Sequence, residues 1–582
     1  MRLDVNNCEG CNEREQKSLS LRRAPPRAKC PKMAGVSLPG FGHGDAYVHS
    51  AHCVNFDVDI GHVIEASWPR KLTAAEETTL CFAAMPDSQP SSGGLGDSCF
   101  AFHFLSESGR ALWGFSLFRA RRESSQRRGC IQKSLVLLSD KPFFQLFRSA
   151  VSLLADAYFA SGSNALSAAL RSMDAWPPAH QPGLYAGLGL LQQTLTLATE
   201  ACEAGPVFAL PCAAPASAPN TASDAACTAP AHASGPSGAL REPVAVRSLC
   251  ALGGECWTLW QLLLTGESLV VLTPSPHQCS DIVLALPALI APLPCMSNVR
   301  PYLTVHAPDW EAHLTGTGPP PGSGLLVGAT NPVVSRDPPA WLSLLVLEAR
   351  EASASTSAAA SQPPPPSVPT QGGGLGSLFG FGPSAEVARA DAALSGPWAA
   401  AHWRSHVEVV VRADEHVLHR LREAEAVAAA ADVPQAMARS PASSSSSSGG
   451  GGGDGTAGGG DRLLREHFEQ LTLSFLQPLE RFTTMGSLQI CSHMRPTAEG
   501  GGGGANGVGL ESHGLMLHEW SYEAQTRFLR EVEAMEPPPL PRSIVPQRAD
   551  LLRLYTAFLR TPHFAHWWES RRRRVDAGLY RG

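Results

Sequence analysis

Between residues 259 and 292 the hydrophobic pattern changes from a helical period to a continuous apolar run and back again. Trp260, Leu263 and Leu264 recur at helical spacing, and Gly266 stands where a glycine commonly ends a helix. The apolar run 268–273 is too short for a helix. Its β-branched residues predict a strand that is buried on both faces, as is typical of a parallel sheet.

The turn that follows this strand contains Pro274, Ser275 and Pro276. Ser275 is predicted to be the N-cap of the next helix, and Pro276 to occupy its first position. Ile282, Leu286 and Leu289 would then form the apolar face of that helix. A strand between two helices is the unit of an α/β layer, so residues 244–350 are predicted to form a parallel α/β lobe.

An alternating pattern dominates the N-terminal part of the chain. It predicts a β-hairpin around Ile60 and Gly61 and three further strands in a meander. Thr73 with Glu76 forms a capping-box sequence that predicts the start of a helix, and an amphipathic helix is expected after Pro142. Residues 46–180 therefore read as a small α+β domain.

Three segments lack such patterns. Residues 1–45 are charged and contain many prolines and glycines, which favours disorder. Residues 181–243 are interpreted as a linker of low complexity, in which 188–201 could form a helix. Residues 351–400 are predicted to be a second disordered linker.

The C-terminal part, 401–582, is predicted to be an all-helical lobe interrupted by Ser/Gly insertions. A helix is expected over 406–430, and apolar residues at steps of three and four predict a long helix over 462–482. Pro478 is predicted to kink that helix. A last helix is expected after Thr561 and Pro562.

Composition narrows the class of protein. The chain has 582 residues and a formal net charge of −6, which argues against a general nucleic-acid binder. Its 15 cysteines are scattered and do not resemble a secreted disulfide framework. No signal peptide follows the first methionine, and prolines interrupt the longest apolar run. A cytoplasmic protein without a transmembrane segment is the expectation.

A search for chemistry finds no P-loop, no nucleophile elbow and no zinc-protease motif. Cys8 and Cys11 form one CxxC pair without further ligands at suitable spacing, so neither a metal site nor a cofactor is expected. The turn 273–276 could present a helix N-terminus to a phosphate, but a structural turn is the favoured reading. The pattern indicates a protein that acts by binding, with no catalytic residues.

The basic run at the C-terminus has two readings. Arg571, Arg572, Arg573 and Arg574 are predicted contacts for acidic phospholipid or an acidic partner. They could equally form a solvated helix end that complements the helix dipole.

Eight segments resemble the DENN-domain proteins, and most closely the sixth DENN-domain-containing group. They are CVNFDVDIGHVIEASWP (53–69), GGLGDSCFAFHF (93–104), RRGCIQKSLVLLSDKPFF (127–144), GESLVVLTPSPHQCSDIVLALPALIAPL (266–293), VRPYLTVH (299–306), GATNPVV (328–334), LTLSFLQPLERF (471–482) and YTAFLRTPHFAHWWESRRR (555–573). The resemblance implies an α/β multi-domain fold in which the first lobe is longin-like, the central lobe is α/β and the last is helical.

The resemblance also implies a function. It is that of a guanine-nucleotide exchange factor for a Rab-type small GTPase, which binds in the cleft between the first two lobes. The GTPase regulator would be recruited peripherally to endosomal membranes, including the recycling endosome. The expected partner contacts lie in matching segments that end at loops: Gly96, Asp97, Gln132, Lys133, Pro274, Ser275 and Pro276.

Two departures from the family pattern affect this interpretation. Residues 183–239 lack a clear match, and Val333 and Val334 stand where aromatic residues are expected. A non-catalytic Rab effector or trafficking adaptor with the same fold is the alternative. An α/β enzyme that uses the turn 273–276 is a distant third.

The Ser/Gly tract 443–460 generates a stability prediction. The entropy of closing a loop grows only logarithmically with its length, so deleting the tract should change the free energy of unfolding by about 1 kcal/mol or less. Thermal unfolding of the deletion variant measures this, and a large loss of Tm would show that the tract is structured.

Overall fold

The computed structural model describes residues 46–57, 59–68, 72–87, 97–124, 129–202, 239–242, 244–307, 310–314, 324–336, 338–350, 398–437, 459–493 and 520–576. Five antiparallel strands form the N-terminal sheet, in the order β2-β1-β5-β4-β3. They are β1 (Ser50–Asp57), β2 (Gly61–Trp68), β3 (Asp97–Leu105), β4 (Ala111–Arg122) and β5 (Cys130–Ser139). The predicted hairpin and meander are confirmed.

Helices cover both faces of this sheet: α1 (Ala74–Ala83), α2 (Phe144–Ser161) and α3 (Ser163–Asp174). Phe115 and Leu135 pack with α2 on one face, and Phe102 and Val136 pack with α1 on the other. The capping box is confirmed, because the Thr73 hydroxyl accepts from the Glu76 amide (3.3 Å) and the Glu76 carboxylate accepts from the Thr73 amide (3.0 Å).

The helix suggested over 188–201 is wrong. A three-stranded sheet stands there, formed by β6 (Gly183–Leu190), β7 (Gln193–Cys202) and β8 (Ala239–Arg241). The turn between β6 and β7 holds Leu191 and Gln192 at φ of 48° and 65°, a conformation that usually requires glycine or asparagine. Hydrophobic spacing without a turn residue therefore misled the sequence-based interpretation.

The segment predicted to be a linker also caps the N-terminus of helix α2. Glu242, just after β8, accepts hydrogen bonds from the amides of Gln145 (2.7 Å) and Leu146 (3.2 Å) at the start of α2. The N-cap residue of α2, Phe143, makes no side-chain hydrogen bond to these amides. Burial raises the pKa of Glu242 to about 7.

The central sheet has the order β10-β11-β9-β12-β13. Its strands are β9 (Ser268–Leu272), β10 (Asn298–Arg300), β11 (Leu325–Ala329), β12 (Leu342–Ala349) and β13 (Trp398–Arg404). The first four in this order are parallel, but β13 is antiparallel to β12. This corrects two expectations, since a strand lies across the boundary between the predicted second linker and the predicted all-helical lobe.

Around this sheet lie α4 (Arg247–Cys250), α5 (Glu255–Leu264), α6 (Pro276–Ala285), a 3-10 turn at Leu286–Ile290, α7 (Trp310–Leu314) and α8 (Val333–Arg336). Every residue of β9 is buried. Leu269 and Val271 join the core that contains α5, and Val270 and Leu272 join the core on the opposite face. The prediction of a strand buried on both faces is confirmed.

In the described residues of the C-terminal part there are five helices: α9 (Glu415–Met437), α10 (Gly459–His493), α11 (Tyr522–Ala534), α12 (Arg548–Phe558) and α13 (Pro562–Asp576). They share one hydrophobic core with α5, and the Trp260 indole of α5 donates to the Thr472 hydroxyl of α10 (3.0 Å). The first of them starts nine residues later than the predicted start at His406. Gly459 and Gly460 belong to α10, so the deletion predicted to be harmless should stop at residue 458.

Pro478 lies inside α10, and its kink stays a prediction. In the parts of the chain that the structure describes, no helix combines the length and the apolar character needed to cross a bilayer.

Helix α6 joins the central sheet to the free edge of the N-terminal sheet. Strand β3 is that edge, and three side chains bind the backbone groups that it leaves unpaired. The Ser280 hydroxyl accepts from the Ala101 amide (3.0 Å) and contacts the Ala101 carbonyl oxygen (3.3 Å), and Arg300 donates to the His103 carbonyl (2.8 Å). His277 Nδ1 lies 2.9 Å from the Cys99 carbonyl oxygen. These contacts are called the seam below.

A substitution in the seam tests its contribution to stability. Ser280→Ala leaves the Ala101 amide without its acceptor in a buried position, which costs about 1–3 kcal/mol. Urea unfolding of the full chain should show this loss. Ser167→Ala removes a hydroxyl that bonds only to its own helix, at Ser163, and should change stability by about 0.5 kcal/mol or less. Equal stability of the two variants would contradict the role assigned to the seam.

Candidate functional site

The predicted contact residues of the N-terminal sheet lie on two different faces. Asp97 and Lys133 are each aligned with Arg119 on the strand between them, so their side chains share one face. Gln132 precedes Lys133 on the same strand and therefore points to the opposite face. Gly96 lies outside the described residues.

On the face covered by α2, the predicted residues are held in ion pairs. The Arg119 guanidinium binds both carboxylate oxygens of Asp97 and donates to Asp156 (2.8 Å), while stacking on Phe159 (4.7 Å to the ring centre). The hydrogen bond to Asp97, and to a smaller extent the one to Asp156, raises the pKa of the Arg119 guanidinium. Lys133 pairs with Glu65 (2.5 Å). The Arg119 pairs join the neighbouring strands β3 and β4 to α2, and the Lys133 pair links β5 to β2 across β1, so these side chains also hold the fold.

The turn 273–276 begins α6 and packs toward the seam. Pro276 is the first residue of the helix, as predicted, but the Ser275 hydroxyl makes no capping hydrogen bond. The Thr273 hydroxyl instead donates to the Ser275 carbonyl (2.8 Å). One residue after Pro276, His277 reaches β3. These contacts give the turn a structural task and lend no support to the enzyme alternative.

The basic residues of α13 are mostly paired. Arg571 binds Glu480 of α10 and lies 5.4 Å from the centre of the Trp567 ring. Arg572 and Arg573 both contact Glu569 (3.4 Å each), and Arg573 is the more exposed, at 76% of its side chain. The side chain of Arg574 lies outside the described part. Arg571 therefore belongs to helix packing rather than to a free basic surface.

The face that carries Gln132 contributes to a pocket between the two large sheets. This junction pocket has a volume of about 220 Å³ and is lined by Phe56, His62, Phe82, Met85, Pro86, Asp87, Phe118, Gln132 and His306. The first eight come from the N-terminal sheet, α1 and the segment after it. His306 comes from the loop after β10, at the carboxyl edge of the central sheet.

Aromatic contacts form one wall of the junction pocket. The His62 ring lies edge-on between Phe56 (5.1 Å between centres) and Phe82 (5.2 Å), and Phe82 in turn contacts His306 (5.7 Å). Burial lowers the pKa of His62, so this imidazole is neutral at pH 7. The wall therefore consists of aromatic rings in edge-to-face and tilted contacts.

Asp87 supplies the carboxylate of the junction pocket and ties the two sheets together. Its Oδ2 accepts from the Val305 amide (2.8 Å), and its own amide donates to the Tyr302 hydroxyl (2.9 Å). Tyr302 lies 3.3 Å from the Thr330 hydroxyl after β11. Burial raises the pKa of Asp87 to about 6, and the amide of Val305 and His306 oppose that rise.

A glycine fixes the loop that carries His306. A Cβ on Gly328 of β11 would lie 2.0 Å from the Pro301 carbonyl oxygen, so only glycine allows this approach. The Leu303 amide also donates to the Gly328 carbonyl (2.8 Å). In the sequence, the segment 328–334 stood out only through its resemblance to the family. Its glycine is the one local signal that could have indicated the close approach of this loop.

Within the described ranges, no cluster of three or more His, Cys, Asp or Glu is arranged to hold a metal ion. Burial raises the pKa of the Cys279 thiol above its usual range and that of Cys81 to about 11, so neither is a thiolate at neutral pH.

Comparison with known proteins finds similarity along the chain. The family model described as transport protein Avl9 matches residues 48–173. Protein DENND6A of Gallus gallus is 25% identical over 577 residues, which cover 94% of this chain and 82% of that protein. Protein DENND6A of Mus musculus is 31% identical over 324 residues (51% of each chain), and Protein DENND6B of Homo sapiens is 32% identical over 335 residues (52% of this chain and 53% of that one). The last two matches span about half the length of those relatives. They confirm the resemblance read from the sequence motifs.

Two arginines of α13 should separate helix packing from lipid contact. Arg571→Ala removes the pair with Glu480 and the stacking on Trp567, so the free energy of unfolding should fall by about 1 kcal/mol. Arg573→Ala should leave stability within about 0.5 kcal/mol. If α13 contacts acidic lipid, Arg573→Ala should weaken vesicle binding about fivefold, corresponding to about 1 kcal/mol.

Urea unfolding and sedimentation with phosphatidylserine vesicles measure both effects. Unchanged vesicle binding of Arg573→Ala would favour the alternative in which the arginines serve the helix end.

Proposed function

Because the chain is a DENND6-like DENN-domain protein, we propose that it is a guanine-nucleotide exchange factor that promotes GDP release from a Rab-type small GTPase. The similarity to DENND6A along 94% of the chain carries this proposal. The exchange factor acts by binding and uses no cofactor. Its site of action is endosomal membrane traffic, with peripheral recruitment from the cytoplasm to endosomes, including the recycling endosome.

The junction between the two large sheets is the proposed contact surface for the GTPase. In open α/β sheets, ligands bind outside the carboxyl ends of the strands. Three loops meet there, after β9, β10 and β11, at 273–276, 301–307 and 330–332. Tyr302 and Asp87 connect the second and third of these loops to the segment after α1. A partner at this junction would touch both sheets, which is what the proposed mechanism requires.

The energetics define what the contact must do. A picomolar nucleotide complex corresponds to about 16 kcal/mol of binding free energy, so spontaneous release is slow. Raising the release rate about 1,000-fold requires lowering the barrier by about 4 kcal/mol. Only contacts that favour the opened GTPase over the nucleotide-loaded one supply this difference. A rigid surface is suited to the task because it does not adapt equally to both states.

Nucleotide release measures the proposed activity directly. The full chain is mixed with a panel of Rab proteins loaded with fluorescent GDP, and release is followed with excess GDP. Stimulation of about 1,000-fold on at least one Rab is expected. A protein that binds a Rab and leaves every release rate unchanged would be an effector, and the exchange proposal would fail.

Two neighbouring substitutions locate the contact. Gln132 lines the junction pocket, whereas Lys133 points to the opposite face and pairs with Glu65. Gln132→Ala should lower stimulated release about tenfold, equivalent to about 1.4 kcal/mol, and Lys133→Gln less than about twofold. A larger loss of stimulated release in Lys133→Gln than in Gln132→Ala would indicate that the GTPase binds the face covered by α2.

A further inference from the structure

The junction pocket combines a partly buried carboxylate with several aromatic rings. Its volume of about 220 Å³ is below the roughly 300–1,000 Å³ of pockets that take drug-sized ligands. It therefore suits a single side chain better than a nucleotide or another whole metabolite. Met85 and Phe118 are buried, but the other wall residues are partly or fully exposed, so the pocket is open to a partner.

The charge of Asp87 is only partly compensated. Its Oδ2 accepts one backbone hydrogen bond, and its Oδ1 accepts none from the residues that the structure describes. Among those residues, no lysine or arginine forms an ion pair with it. A partly buried carboxylate has already lost part of its hydration, so a cation that enters the pocket gains a partner whose desolvation has partly occurred.

We propose that the junction pocket binds the guanidinium group of an arginine side chain presented by a protein partner. The Asp87 carboxylate provides the charge and free Oδ1 accepts from the guanidinium. The faces of Phe56 and Phe82 provide surfaces for stacking, and the Gln132 side-chain amide oxygen accepts a further hydrogen bond. Arginine fits better than lysine because its planar, weakly hydrated group stacks on aromatic rings.

This assignment rests on the pocket and does not require exchange activity. If the Rab of the proposed function supplies the arginine, the pocket becomes part of the exchange surface. The two proposals fail separately, because a peptide reports on the pocket and fluorescent GDP reports on exchange.

The direct test measures binding of the peptide acetyl-Gly-Arg-Gly-amide to the full chain by saturation-transfer difference NMR, with the peptide at millimolar concentration. The matched control peptide carries citrulline, which keeps the shape of arginine and removes its charge. Saturation transfer to the arginine peptide, at least tenfold stronger than to the citrulline peptide, is expected. Equal transfer to both, or none to either, would overturn the proposal.

Two pocket variants and one control make the assignment specific. Asp87→Asn keeps an oxygen for the Val305 amide and removes the charge, so binding of the arginine peptide should weaken at least tenfold. Phe82→Leu should weaken it severalfold through lost stacking alone. Glu77→Gln removes an equal charge from an exposed position of α1 and should bind the peptide as the unchanged protein does. Unweakened binding by Asp87→Asn, with thermal unfolding showing it folded, would overturn the proposal.

The pH dependence gives an independent readout. Burial sets the pKa of Asp87 at about 6, so the ionised fraction falls about tenfold between pH 7 and pH 5. The groups that face Asp87 are His62 on β2 and Tyr302 and His306 after β10. Tyr302 stays neutral over this range because burial raises its pKa. Peptide binding should therefore weaken about tenfold from pH 7 to pH 5, and pH-independent binding would contradict the role of Asp87.

Discussion

The structure depends on the closure of one sheet edge. An uncovered edge strand presents unpaired amides and carbonyls that are costly to bury. In β3 these groups belong to alternate residues, Cys99, Ala101 and His103, and side chains from α6 and the end of β10 bind them. Because the bonds run from side chain to backbone, they fix the position of α6 along β3 as well as the distance between α6 and β3. The carboxyl edge of the central sheet is thereby held against α1, and the junction pocket acquires walls from both sides.

Helix α6 reinforces this closure through its apolar residues. Cys279 packs into the core under α1, Leu284 into the core under α2, and Ile282 into the core shared with α5 and the C-terminal helices. One short helix therefore contributes to three cores, and it directly follows the fully buried strand β9. Movement of α6 would disturb all three, which makes the junction a rigid surface. Rigidity matters for the proposed exchange, since a surface that adapted to both GTPase states would not discriminate between them.

Local sequence patterns predicted the elements that are marked by a signal in neighbouring residues. The buried strand β9, the first turn of α6 and the capping box at Thr73 each have a signal within a few residues. The hairpin of β6 and β7 and the antiparallel strand β13 were missed, because Leu191 and Gln192 give no turn signal and Trp398 follows a segment of low complexity. Of the junction pocket, only Gln132 was named in advance. Asp87, His62 and His306 come from distant segments, and no spacing along the chain shows that the seam brings them together.

The central claim is that a GTPase contacts the junction held by the seam. Hydrogen–deuterium exchange of the full chain, with and without a nucleotide-free Rab from the responsive set, tests it most directly. The account predicts slower exchange in peptides that cover 56–62, 85–87 and 301–307 when the Rab is added. Protection confined to the C-terminal helices, with these three segments unchanged, would contradict it.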